Sequence, residues 1–208
     1  MNRLPRTNYA MPLNGKLIAD HSYRDNGRVV AEVRAVNPEI TAANIAIMSH
    51  EACHDPMVVE VAKRIVINVI DENDNMFLSK LSEVNAVYNW VAKHIRYTRD
   101  PHNIELVFNP RHIFSIVERE GRAAEDCDTI SGVVATLLCA LGHKCRITIA
   151  GFRKRPGFSH VFTEVLLPPV QKGQGFSWVV VDPSVGQHVN KMCSDITHSK
   201  SFAVGSLR

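Results

Sequence analysis

Apolar residues in the front half of the chain recur every three or four positions, which is the spacing of one face of a helix. This pattern predicts one helix that begins near Pro38, a second over residues 56–70 and a third over residues 79–94. Proline suits a first helical position because it has no N–H group to leave unpaired there. We therefore expect residues 37–100 to be helical.

The pattern changes after a loop that holds Pro110 and Gly121. A strongly apolar helix is expected over residues 127–141, and short runs of β-branched and aromatic residues follow it. The loops between those runs are short enough to join sequential antiparallel strands. The predicted fold class is α+β, with N-terminal helices and a further helix packed on an antiparallel sheet over residues 121–190. The three predicted strands cover residues 145–152, 159–167 and 176–181.

Residues 1–36 differ in character from the rest of the chain. Proline and glycine interrupt them, and the alternation typical of a strand is confined to residues 28–36. The interrupting residues are Pro5, Pro12, Gly15 and Gly27. We interpret residues 1–36 as an extended N-terminal arm and residues 37–208 as the folded domain. Such an arm is expected to take its order from the domain or from an assembly partner.

Composition and charge narrow the class of protein. The chain has 208 residues, of which 45% are hydrophobic and 22% are charged, so one globular domain with a sizeable core is expected. The formal net charge of +3 is too small to indicate a nucleic-acid partner, and the run Arg153-Lys154-Arg155 is interpreted as a solvated turn. No apolar run reaches the roughly 18 residues that a membrane span needs, so no membrane partner is expected.

The cysteines and the first residues of the sequence indicate the expected location of the protein. Five cysteines, an odd number without a C-x-x-C pair, indicate neither a disulfide framework nor a cysteine zinc cluster. Cys139 and Cys145 fall within apolar stretches and are interpreted as core thiols, whereas Cys53 and Cys193 receive no role. No secretory signal is visible after Met1. A cytoplasmic, reducing location or incorporation into a virion-type assembly is therefore expected.

Cys127 is the strongest candidate for a nucleophile. It opens the predicted apolar helix directly after Asp126, which is suited to cap that helix. A free thiol with a pKa of about 8.5 is only a few per cent thiolate at neutral pH, so a catalytic cysteine needs activation. The positive end of the helix favours the thiolate, whereas the neighbouring carboxylates Glu125, Asp126 and Asp128 disfavour it. Most of the activation is therefore expected to come from a histidine.

His160 and Asp182 are the candidates for the other two roles of a catalytic triad. His160 lies near the start of one predicted strand, and Asp182 ends the next strand, just before Pro183. Neighbouring antiparallel strands lie roughly 4.8 Å apart, so an aspartate at the end of one can reach a histidine at the matching end of the other. These positions predict Cys127 as the nucleophile, His160 as the base and then the acid, and Asp182 as the group that orients the imidazole.

Four segments give the chain a specific resemblance. They are E-D-C-D-T around Cys127, S-H-V-F-T-E-V from Ser159, W-V-V-V-D-P-S from Trp178, and the segment from Trp90 to Pro101. Together with the order Cys, His, Asp, they resemble the transglutaminase-like core family over roughly residues 80 to 190. The resemblance implies a papain-like arrangement, in which the helix of the nucleophile packs on an antiparallel sheet that carries the other two triad residues. Glu125 stands where members of the family usually have glycine.

A competing motif lies earlier in the chain. His50, Glu51 and His54 fit the H-E-x-x-H pattern of zinc metallopeptidases, in which two imidazoles one helical turn apart bind zinc. Asp55-Pro56 is expected to end that helix at once, and neither the glycine nor the third histidine of the extended motif follows. We interpret the match as a coincidence and keep a zinc metallopeptidase as a minor alternative. Neither a metal nor another cofactor is expected.

The expected chemistry is attack of the Cys127 thiolate on a peptide or glutamine amide carbonyl, followed by resolution of the thioester by water or by an amine. A cysteine peptidase or amide hydrolase that acts on a protein or peptide is the first prediction. Protein-glutamine transglutaminase or deamidase activity is the second. A third reading, from a different class, is a virion-type assembly or scaffold component whose arm, residues 1–36, contacts the partner.

Overall fold

The computed structural model describes residues 21–25, 28–32, 37–67, 69, 76–99, 106–153, 155–169, 171, 174–185, 188–191 and 194–205. Cys193 and most of the predicted arm lie outside these ranges. The helices are α1 (Pro38–Ala52), α2 (Pro56–Val66), α3 (Met76–His94), α4 (Pro110–Glu120) and α5 (Cys127–Ala140). The strands are β1 (His21–Asp25), β2 (Arg28–Glu32), β3 (Ile95–Tyr97), β4 (Leu106–Val107), β5 (Ala123–Glu125), β6 (Cys145–Phe152), β7 (Arg155–Leu167), β8 (Ser177–Val181) and β9 (Ile196–Ala203). None of the helices in the described ranges is long and apolar enough to span a bilayer.

Three helices begin in the same way, with a capping side chain followed by proline. The pairs are Asn37-Pro38, Asp55-Pro56 and Asn109-Pro110. Each capping side chain accepts a hydrogen bond from the backbone N–H two residues later. The third pair starts α4, and Gly121, in the left-handed region at φ 78°, ends it. The loop predicted between Pro110 and Gly121 is therefore wrong, because this segment is a helix.

The main sheet carries the rear half of the fold. Its strand order is β8-β7-β6-β9, and every neighbouring pair is antiparallel. The predicted strands correspond to β6, β7 and β8, so the α+β class with an antiparallel sheet is confirmed. Strand β9 was not predicted from the sequence, because its side chains are almost all exposed and show no apolar alternation.

Helix α5 lies at the centre of the core, and almost all of its residues are buried. Two hydrogen bonds join it to β7: Ser131 Oγ donates to the Val161 carbonyl at 3.1 Å, and Thr163 Oγ1 donates to the Ser131 carbonyl at 2.8 Å. Helix α1 packs on another side of α5, where Ser49 Oγ donates to the Gly132 carbonyl at 3.1 Å. These contacts fix α5 against the sheet and against α1.

Strands β1 and β2 form a hairpin within the region predicted to be an arm. Tyr23 of β1 lies opposite Val30 of β2, and Ala31 of β2 pairs with Val107 of β4. Part of the backbone of the predicted arm is therefore hydrogen-bonded to a strand of the folded domain. The domain boundary at residue 36 stays a prediction.

Candidate active site

Asp126 fixes the position of Cys127 at the start of α5. The Asp126 side chain accepts a hydrogen bond from the Thr129 N–H at 3.1 Å, which confirms its predicted role as the helix cap. Cys127 follows as the first helical residue, so its thiol lies near the positive end of the helix. The thiol is partly buried and donates a hydrogen bond to Asp128 Oδ1, with a sulfur-to-oxygen distance of 3.6 Å.

His160 and Asp182 are hydrogen-bonded to each other. His160 lies within β7, and Asp182 lies one step beyond the point where Thr163 of β7 pairs with Val181 of β8. The distance from His160 Nε2 to Asp182 Oδ2 is 2.6 Å. Asp182 is buried and the His160 side chain is only 14% exposed, so water competes weakly for this contact. The contact expected from the sequence between these two side chains is present.

Ser184 holds the Asp182 carboxylate from the other side. Its backbone N–H and its Oγ both donate to Asp182 Oδ1, at 3.1 and 2.6 Å. Both carboxylate oxygens therefore have partners, which fixes the plane of the carboxylate. Sequence reasoning missed Ser184, although an aspartate followed two residues later by a serine in Asp-Pro-Ser is a pattern typical of such side-chain turns.

Two phenylalanines flank the His160 ring. The ring centroids lie 6.4 Å from Phe152 and 5.9 Å from Phe162. Because Nε2 is turned toward the Asp182 carboxylate, it carries the proton in the neutral ring, and Nδ1 is left as the basic nitrogen. The environment of His160 therefore presents one defined nitrogen for proton transfer.

Cys127 and His160 line the same cleft. This cleft has a volume of about 320 Å³, and its wall includes Ile45 of α1. Exposed Tyr97 and Arg99 contribute to the lining next to β3. Neither residue was among the candidate site residues expected from the sequence. An arginine beside an open cleft can bind a carboxylate or a carbonyl oxygen of an extended peptide.

Electrostatics keep the Cys127 thiol protonated in this arrangement. Burial raises the pKa of the thiol well above its usual range, and the Asp128 and Asp126 carboxylates raise it further. A backbone hydrogen bond from Val161 lowers the pKa, but this effect is smaller. Within the part of the chain that the structure describes, no hydrogen bond joins the thiol to His160. A thiolate therefore requires the side chain to turn from Asp128 toward a base in the cleft.

Two groups of potential metal ligands occur among the described residues. At the cleft, Cys127 Sγ and one oxygen each of Asp126 and Asp128 lie within 4.8 Å of one another. Helix capping and the hydrogen bond from the thiol account for these atoms without an ion. The second group, at the C-terminal end of α1, is His50, Cys53 and His54.

Residues 66–183, more than half of the chain, match the model of the transglutaminase-like superfamily. The chain belongs to this superfamily. The family resemblance noted from the sequence motifs is thus confirmed, and the matched range contains Cys127, His160 and Asp182. A comparison of this transglutaminase-like chain with curated proteins finds no match.

Two solved structures are similar to this superfamily member. A protein from Parabacteroides distasonis, described as a "putative protease", has a TM-score of 0.44 at 10% sequence identity, and the alignment covers 72% of this chain and 30% of that chain. A protein from Cytophaga hutchinsonii, described as a "putative cysteine protease", has a TM-score of 0.41 at 14% identity, with coverage of 83% and 61%. The chain spans less than two thirds of the length of either protein.

Proposed function

We propose that this member of the transglutaminase-like superfamily is a thiol-dependent acyl-transfer enzyme, and first a cysteine peptidase or amide hydrolase. In this proposal Cys127 is the nucleophile, His160 is the base and then the acid, and Asp182 orients the imidazole. The observation that supports it most is that Cys127 and His160 line the same cleft, and that His160 Nε2 is hydrogen-bonded to the buried Asp182. Cysteine nucleophiles with a histidine base and a carboxylate orienter follow this logic.

The first step of the proposed reaction is proton transfer within the cleft. The Cys127 side chain turns from Asp128 to His160 Nδ1, which takes the thiol proton. The imidazolium that results is stabilised by the Asp182 carboxylate at Nε2, and it in turn stabilises the thiolate. The raised pKa of the resting thiol makes this transfer necessary, because the helix end alone does not produce a thiolate.

The remaining steps transfer the acyl group. The thiolate attacks the carbonyl carbon, and the positive end of α5, where Cys127 lies, favours the negative charge that develops on the carbonyl oxygen. His160 then gives its proton to the departing amine, which leaves a thioester on Cys127. Water, deprotonated by His160, resolves the thioester and releases the acid. If an amine replaces water, the same site catalyses transamidation.

The experiment offers the purified chain a set of peptides that contain internal glutamine, with and without a primary amine, and follows the products by mass spectrometry. We expect peptide cleavage or loss of ammonia in the wild type and neither in Cys127→Ala. Incorporation of the amine would identify transglutaminase activity, the second candidate, which the family match also supports. Equal turnover in the wild type and Cys127→Ala would contradict the proposal.

A matched control uses a thiol that the proposal leaves inert. Cys145 is fully buried, and burial raises the pKa of its thiol. Cys145→Ala should retain the turnover of the wild type, provided that its melting curve shows a folded protein. Loss of turnover in this folded variant would show that the assay does not report on Cys127.

A further inference from the structure

The C-terminal end of α1 gathers three side chains with nitrogen and sulfur donors. One ligand atom each of His50, Cys53 and His54 lies within 4.8 Å of the other two. The imidazole rings of His50 and His54 are 5.0 Å apart between centroids and nearly perpendicular, at 82°. The rings therefore meet edge to face, and a ring nitrogen of each lies close to the Cys53 sulfur at the end of α1.

The way that α1 ends explains this convergence. Cys53 is the C-cap and keeps a helical backbone conformation, and its N–H still donates to the Ser49 carbonyl at 3.0 Å. Its thiol donates to the His50 carbonyl at 3.2 Å, which holds the sulfur over the last helical turn. Side chains three and four residues apart lie on the same face of a helix. His50 thus shares a face with Cys53 and His54.

A fourth donor comes from α5. The side chains of Cys53 and His50 both lower the pKa of the Cys139 thiol, so its sulfur lies close to these two residues. This contact arises because α1 packs along α5, where Ser49 bonds to the backbone of Gly132 about two turns before Cys139. The site therefore combines the C-terminal ends of two helices, α1 and α5.

We propose that His50, Cys53, His54 and Cys139 form a Zn²⁺ site. Two thiolates and two imidazoles are the donor set of closed, tetrahedral structural zinc sites, and the H-x₃-H spacing of the histidines is among those that such sites use. With zinc at its usual distances from nitrogen and sulfur, tetrahedral ligand atoms lie about 3.3–3.8 Å apart. A shift of about one ångström would bring the ligand atoms of His50, Cys53 and His54 to that spacing, and Cys139 would turn toward them to complete the tetrahedron. The two Zn–S bonds form as the thiol protons leave to solvent.

The site differs from the metallopeptidase centre that the H-E-x-x-H pattern indicates. Four protein ligands leave no open position for water or substrate, whereas a catalytic zinc keeps one. Glu51, which would be the base of a metallopeptidase, is exposed and does not belong to the group of ligand atoms. The proposed role is therefore to fasten α1 to α5, and the proposal departs from the expectation from the sequence that the chain binds no metal.

The proposed zinc site and the cleft lie at opposite ends of α1. Pro38, Thr41, Ala42 and Ile45, near the start of α1, line the cleft that contains Cys127. The proposed zinc lies at the other end of the same helix. Gly205 lies against His50, because a Cβ atom at this position would be only 2.7 Å from His50 Nδ1. Gly205 thus allows the backbone to cover one edge of the His50 ring.

The test is a titration of the full-length chain, stripped of metal and reduced, with Co²⁺ and then with Zn²⁺. We expect one equivalent of Co²⁺ to bind, with the visible bands of a tetrahedral site and the near-ultraviolet band of thiolate ligation, and Zn²⁺ to displace it. Cys53→Ser, Cys139→Ser, His50→Ala and His54→Ala should each weaken binding at least about tenfold, since even changes outside the ligand shell cost that much.

Two controls separate this site from the other candidates. Glu51→Gln should bind Co²⁺ as the wild type does, because the carboxylate is not a ligand in the proposal. Cys127→Ser should also retain binding, which excludes the thiol and carboxylates of the cleft. If Cys139→Ser fails to fold, His54→Ala still tests the site, because the His54 residue is exposed.

Three results would contradict a zinc site at these residues. Absence of stoichiometric Co²⁺ binding in the reduced protein would do so. Binding that survives in His54→Ala and in both cysteine variants would do so as well, because the metal would then lie elsewhere. A disulfide between Cys53 and Cys139 that resists the reductant and prevents metal binding would assign the same two sulfurs to a redox role instead.

Discussion

The carboxylate of Asp182 is bound on both sides, by the His160 ring at Oδ2 and by Ser184 at Oδ1. The two sets of contacts do different work. The bond to His160 sets the tautomer of the imidazole and stabilises its charged form, whereas the bonds from Ser184 only hold the carboxylate in place. Substitutions of Asp182 and Ser184 should therefore lower the turnover by different amounts.

For Asp182→Asn we expect a loss of turnover on the order of 10⁴-fold with little loss of stability, because the amide favours the wrong tautomer. Ser184→Ala should cost about tenfold or less, since one hydrogen bond contributes roughly 1 kcal/mol. The measurements are kcat on a small amide substrate and the thermal midpoint of each variant. Losses of equal size would show that Ser184 does more than position the carboxylate.

Cys127 also makes stability depend on pH. Burial and the Asp128 and Asp126 carboxylates raise the pKa of its thiol in the folded protein above the value of about 8.5 in the unfolded chain. Above that pH the unfolded chain loses a proton that the folded protein keeps, so the free energy of unfolding falls as pH rises. Below about pH 8.5 the contribution is fully present and does not change with pH.

We expect the free energy of unfolding of the wild type to fall more steeply between pH 8.5 and 10 than that of Cys127→Ser, by up to about 1.4 kcal/mol per pH unit. Denaturant titrations at several pH values, with reductant present, give both slopes. Comparison with the variant removes the contributions of the other buried thiols. Parallel slopes would mean that the folded thiol ionises as readily as an exposed one.

At the scale of single elements, the start of α5 sets the position of the nucleophile. Asp126 caps this helix through its side chain, and its charge also raises the pKa of Cys127. The two effects can be separated because asparagine caps a helix about as well as aspartate but carries no charge.

Asp126→Ala should lower the free energy of unfolding by about 1 kcal/mol, whereas Asp126→Asn should cost much less. Both substitutions remove a carboxylate beside the thiol, so both should lower the pKa of Cys127. The measurements are denaturant midpoints and the pH at which Cys127 becomes reactive toward a thiol reagent. A large destabilisation by asparagine would show that the charge, rather than the cap, holds this helix start.

Local patterns in the sequence were sufficient to predict the helix and the strands that position the candidate triad. Cys127 follows a capping residue, His160 lies in a strand and Asp182 directly follows one. Both strands have clear apolar patterns, so each residue could be placed from its own neighbours. Helix α4 was missed although Asn109-Pro110 and Gly121 carry the start and stop signals of a helix. Proline and glycine are also common in loops, so Pro110 and Gly121 alone do not distinguish a loop from a capped helix.

Contacts between distant segments could not be predicted in the same way. Cys139 was interpreted as a core thiol from its apolar neighbours, yet it adjoins Cys53, which lies on another helix. Arg99 lines the cleft only because β3 pairs in parallel with β5, directly before α5. Such neighbours depend on the packing of helices and on strand pairing, and neither has a local signature in a single sequence.

At the scale of the whole molecule, residues 28–32 contact the domain through a strand pair. Strand β2 pairs with β4, and β1 pairs only with β2 among the described strands. The sequence predicted that residues 1–36 form an arm for an assembly partner. Within that arm, strand β2 (residues 28–32) is paired with a strand of the domain.

Removal of residues 1–27 retains β2 and should leave turnover of a small amide substrate within about twofold, because no side chain of the proposed triad is affected. Removal of residues 1–36 also deletes β2, exposes the edge of β4, and should lower the thermal midpoint further. Melting curves and kcat for the two truncated chains test this. Collapse of the fold in the shorter deletion would make the first 27 residues part of the core.

The central claim is that His160 activates the Cys127 thiol, and the rate of Cys127 alkylation tests it without knowledge of the substrate. The measurement follows iodoacetamide labelling by mass spectrometry at neutral pH, with peptide mapping to locate the label. We expect the wild type to react on the order of 100-fold faster than His160→Ala, because the variant leaves a buried thiol beside two carboxylates with no base. Equal rates in the two proteins, or no labelling of Cys127 in the wild type, would contradict the account.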